Sequence, residues 1–72
     1  MTDTATELHR AVLSVLLEKI EADPYPSVTM MNMAEQILDA EDVVPYAEIL
    51  IDKIRADRFP SIDLLRRVSA LA

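Results

Sequence analysis

The sequence predicts an all-α protein: one small domain of four helices, built as two duplicated αα-hairpins. Three observations lead to this. A segment recurs: residues 16–28 read LLEKIEADPYPSV, and 34 residues on, residues 50–62 read LIDKIRADRFPSI. Seven of the thirteen positions are identical, four more are conservative, and only Glu21/Arg55 and Pro24/Arg58 differ in kind. The chain has no glycine, which excludes phosphate-cradling loops and hairpins with primed turns, since both need positive φ. Apolar residues recur with helical period, and no run alternates with period two.

Helix 1 is expected to start at Thr4, which stands three residues before Glu7 as in a capping box. At 100° per residue, Glu7, Arg10, Ser14, Glu18 and Glu21 form one polar stripe. Leu8, Ala11, Val12, Leu13, Val15, Leu16, Leu17 and Ile20 make nearly all the rest apolar. So wide an apolar face calls for cover on more than one side, and this places a dimer seam on helix 1. The helix must stop by about Asp23, because Pro24 pushes the residue before it out of the α region.

After the stiff Pro24-Tyr25-Pro26 connection, Ser27 caps helix 2, expected over 28 to about 40, with Pro26 and Met31 placed as a hydrophobic staple. Its apolar face is Met30, Met31, Met33, Ala34, Ile37 and Leu38. A polar patch at 39–42 separates repeat units of about 4–40 and 43–72. Pro45 belongs to a first helical turn, so helix 3 is expected from there to about Asp57. Pro60 and Ser61 repeat the earlier turn and launch helix 4. Its face, Leu64, Leu65, Val68, Leu71 and Ala72, corresponds to that of helix 2 position for position.

Seventy-two residues make one domain that buries only about 60% of its unfolded surface. There is no cysteine for a disulfide and no His/Cys cluster for a structural metal, so neither metal nor cofactor is expected. Stability must come from helix packing or from a partner chain, and a composition 51% apolar favours a homodimer. No apolar run approaches membrane-spanning length and the N-terminus does not read as a signal peptide, so a cytoplasmic protein is expected. Arginine outnumbers lysine five to two, which points to a GC-rich bacterial or phage genome. The net charge is −6, carried mainly by residues 1–44, with nine acidic and two basic side chains. Nucleic-acid binding is disfavoured by that total.

Asp23 and Asp57 fall at helix C-termini, where the macrodipole disfavours an anion. The structural expectation is that each carboxylate, four residues before a capping serine, accepts backbone N–H groups at the start of the next helix; the alternative is an acid/base or metal pair. Tyr25 and Phe59 are expected to plug the ends of the hairpins, the alternative being an exposed docking knob. His9 is expected as a half-buried edge residue. Arg66 and Arg67 with Lys53, Arg55 and Arg58 form a basic cluster in the second unit, the basis for a helix-turn-helix DNA-binding alternative. No nucleophile stands beside an evident base, so no enzyme is expected. The function expected is a protein–protein interaction module, an accessory or regulatory subunit. Its interface is expected at Leu13, Leu16 and Leu17 of helix 1 and Met30 and Met33 of helix 2, with Asp23, Tyr25, Ser27, Asp57, Phe59 and Ser61 as turn structure.

Overall fold

The structure, a computed structural model, describes residues 4–59 and 61–72. Among them the protein is all-helical, without a strand: α1 Thr4–Ala22, α2 Val28–Ile37, α3 Val43–Ala56 and α4 Ile62–Leu71, with a short 3₁₀ turn at Ala40–Asp42. Contacts divide the chain into two units, Met1–Leu38 and Asp39–Ala72. In the first, α1 packs on α2; in the second, α3 packs on α4 and on the 3₁₀ turn.

In the first unit α1 buries Leu13, Leu16 and Ile20, and α2 buries Met31 and Ala34. The whole polar stripe of α1 is exposed. Thr4 is already helical rather than a cap, and the residues before it lie outside the described ones. The helix closes where Pro24 demands: the Asp23 N–H donates to the Lys19 carbonyl at 3.2 Å, and Lys19 sits favourably in the last turn. Ser27, with φ −60° and ψ 130°, then caps α2, its Oγ accepting the Met30 N–H at 3.3 Å.

Helix α2 ends at Ile37, three residues before the expected boundary. Leu38 is extended, with φ −65° and ψ 128°, and no described residue has positive φ. A chain without glycine lacks the residue that most cheaply closes a helix through the left-handed region, so it leaves through the extended one. The patch at 39–42 is also more than a spacer. Asp39 is extended, its N–H donates to Asp42 Oδ2 at 3.3 Å, and the 3₁₀ turn it opens runs directly into α3. Helix α3 therefore begins two residues before Pro45. Pro45 still falls in the first turn, where a missing N–H costs the helix nothing.

The second unit buries Tyr46, Leu50 and Leu64. Its turn repeats the local geometry of the first. The Asp57 N–H donates to the Lys53 carbonyl at 3.1 Å, and Ser61 Oγ accepts the Leu64 N–H at 3.3 Å. The two packing faces do not correspond position for position as expected. Met31 is buried where its counterpart Leu65 is exposed, and Met30 is exposed where Leu64 is buried. Tyr46 is buried where Val12 is exposed. The difference in α4 goes with Arg67, whose Nε donates to Asp63 Oδ2 at 2.7 Å. Its side chain is only 10% exposed, whereas Met33, at the equivalent position of α2, is exposed.

Eight buried apolar side chains among the described residues are a small core, and a chain of this length has roughly 0.05–0.15 kcal/mol of stability per residue. Leu50→Ala, at a fully buried position, is expected to cost about 2–5 kcal/mol and leave much of the protein unfolded. Ser14→Glu, on the exposed stripe of α1, is expected to shift stability by no more than about 0.5 kcal/mol. Urea titration followed by circular dichroism measures both.

Candidate functional site

The first candidate surface lies on α1. Leu8, Val12 and Val15 are exposed, Leu8 by 60%, and Ala11 between them is exposed too. Their spacing of i, i+3, i+4 and i+7 puts all four on one stripe. That stripe lies between the polar residues and the buried line of Leu13, Leu16 and Ile20. The apolar face of α1 is thus split lengthwise: one half is core and the other faces out. Leu13 and Leu16, expected at a partner interface, are therefore corrected to core positions, and Leu17 is half-buried. The periodicity marked the whole face as apolar but could not say which half α2 would take. Met30 and Met33 are exposed on α2, as an interface requires.

The second candidate surface is the pair of turns. Asp23 Oδ1 accepts the Tyr25 N–H at 2.9 Å, and Asp57 Oδ1 accepts the Phe59 N–H at 3.1 Å. These are Asx turns, in which the side chain takes the place of a backbone acceptor, so the bonded N–H groups lie in the turn and not, as expected, at the start of the next helix. They supply the compensation that an anion at a helix C-terminus needs. The expected plugging of the hairpin ends is overturned: Tyr25 is 79% exposed and Phe59 81%. Beside the rings, Val28 and Ile62 are also exposed. His9 is exposed rather than half-buried.

Charge is arranged differently from the halves of the sequence. Cut at the observed boundary, the first unit carries six acidic and two basic side chains and the second seven and five. Both are net negative, because Asp39, Glu41 and Asp42 belong to the second unit. The basic cluster is also partly committed: Arg67 pairs with Asp63, and the Arg58 guanidinium lies over the Phe59 ring at 5.9 Å. Asp39, Glu41 and Asp42 bring one carboxylate oxygen each within 4.8 Å of one another, a set able to meet a cation. Asp42 already holds the N–H of Asp39, so helix initiation accounts for part of that grouping. No described helix is long and apolar enough to cross a membrane. Comparison with known protein families, with curated proteins and with solved structures finds no match to this chain.

The role of the two aspartates is open to a direct check. Asn keeps the Oδ1 acceptor and loses the charge, whereas Ala loses both. Asp23→Ala and Asp57→Ala are expected to speed amide hydrogen exchange at Tyr25 and Phe59, while Asp23→Asn and Asp57→Asn leave it close to wild type. Equal acceleration in the Asn and Ala variants would mean that the charge, not the acceptor, matters.

Proposed function

We propose that this chain is a small non-enzymatic protein–protein interaction module, a homodimeric accessory or regulatory subunit made of two copies of one αα-hairpin. The observation that carries this reading is the exposed stripe Leu8, Ala11, Val12 and Val15 on α1. Among the described residues eleven large hydrophobic side chains are exposed against eight apolar ones buried. Scattered exposed apolar residues are ordinary, but a contiguous helical stripe beside a core this small marks a binding surface.

A second copy is the occupant that fits. Each unit is only about half of a 72-residue chain, below the size at which a helical core sustains itself easily. A continuous apolar stripe along one helix can meet its own image about a two-fold axis, as an isologous contact requires. The duplication is supported by the paired Asx turns and paired serine caps at equivalent positions. The non-enzymatic reading is supported by what the candidate groups already do: the serine hydroxyls cap helices and the aspartates close turns. The rival, a DNA-binding regulator working through the second unit, is weakened by Arg67 being held on Asp63.

Sedimentation at micromolar concentration tests the proposal. A species of twice 8.1 kDa is expected, and Leu8→Glu with Val15→Glu is expected to yield a folded monomer. Since each copy carries −6, raising salt to roughly 0.5 M screens repulsion and should tighten the dimer. Binding to DNA would weaken over the same range. A monomer throughout, at every salt concentration, sinks the reading.

A further inference from the structure

Within the duplicated segment only Glu21/Arg55 and Pro24/Arg58 differ in kind, and all four residues flank the exposed aromatic turns. Everything else about the two tips is alike. Each presents one ring about four-fifths exposed, Tyr25 or Phe59, with an exposed aliphatic neighbour, Val28 or Ile62. Each ring follows an aspartate whose Oδ1 accepts its N–H. The charge around the ring is opposite. Glu21 and Asp23 precede Tyr25 in the first unit, whereas Arg55 and Arg58, with Asp57 between them, precede Phe59 in the second, all within four residues before the ring. Arg55 and Arg58 are exposed, and Arg58 lies against the ring itself.

We propose that these tips are complementary: the Tyr25 tip of one copy docks on the Phe59 tip of a second copy. The apolar parts would stack ring on ring, with the Arg58 guanidinium available to a second aromatic face. The arginines would meet Glu21 and Asp23 across the contact, so that charge selects unlike tips and rejects like ones. Such a contact is heterologous, unlike the two-fold pairing on α1, and does not depend on it. It is far smaller than the roughly 800 Å² per partner of a standard interface, so it is transient and visible at sub-millimolar concentration. An anionic lipid surface suits the second tip alone and leaves the acidic first tip without a role.

The experiment uses full-length chains carrying Leu8→Glu and Val15→Glu, so that its result is independent of pairing on α1. Backbone amide shifts at Tyr25 and Phe59 are followed by NMR as concentration rises. Both are expected to move together, and less so at high salt, the opposite salt dependence from the α1 dimer. Arg55→Glu with Arg58→Glu should abolish the movement, as should Glu21→Arg in a separate chain. Mixing those two chains should restore it, because each then offers the charge the other lacks. Circular dichroism checks that each variant stays helical. Should Glu21→Arg lose helix, Tyr25→Ser replaces it, with loss of the Phe59 shift expected. Concentration-independent shifts in the parent chain, movement that survives the arginine reversal, or a silent mixture each overturn the proposal.

Discussion

A helix must be stopped and the chain turned, and here that is done without glycine. The side chain of Asp23 holds the N–H of Tyr25, and that of Asp57 holds the N–H of Phe59. Four residues after each aspartate, a serine holds the N–H of the third residue of the next helix. Between them these bonds fix where α1 and α3 end and where α2 and α4 begin. Because no described residue enters the left-handed region, every reversal runs through extended backbone, and the carboxylate supplies the acceptor that a tight αL turn would have found on the main chain. The same device has a consequence for the surface. Each aromatic residue sits in the turn held this way, and both rings end up in solvent.

The packing follows from how much of each helix the hairpin can cover. A single partner helix takes one line of side chains from α1, namely Leu13, Leu16 and Ile20. Leu8, Val12 and Val15 are left over. In α3 the corresponding place to Val12 is Tyr46, fully buried, where a large ring gains more from removal from water than a valine does. The two units thus share their turns and differ in how much of the outer helix they consume. The first leaves more apolar surface on its long helix, and it is there that association has most to gain.

Much of this was legible in the sequence. The helical class, the four segments, the serine caps and the structural part played by Asp23 and Asp57 all follow from local chemistry, in which a residue's neighbours decide its conformation. What was not legible needs a third dimension. Periodicity identifies α1 as apolar nearly all round, but which line becomes core depends on where α2 lands, so Leu13 and Leu16 read as interface and Leu8 went unchosen. Tyr25 and Phe59 read as plugs because aromatics gain by burial. At these turns, closed by a 2.9 Å or 3.1 Å hydrogen bond on the aromatic residue's backbone N–H, both rings are instead exposed. The early end of α2 at Ile37 was hidden for a related reason. Leu38, Asp39 and Ala40 carry no breaker, yet Asp42 captures the N–H of Asp39 and starts a new helix before the old one can continue.

Electrostatics then decides between kinds of association. With −6 on each copy, two chains repel at a distance, and an apolar stripe must overcome that repulsion rather than be steered by it. Attraction is available only locally, where opposite charges lie closer than a Debye length of about 8–10 Å. The turns are where the two similar segments change charge, from Glu21 to Arg55 and from Pro24 to Arg58, while an aromatic residue, an acceptor aspartate and a capping serine recur at the equivalent positions. Substitution confined to the rim of an otherwise repeated exposed knob alters what the knob will accept without altering how it is held. A difference of that kind bears on specificity rather than on folding.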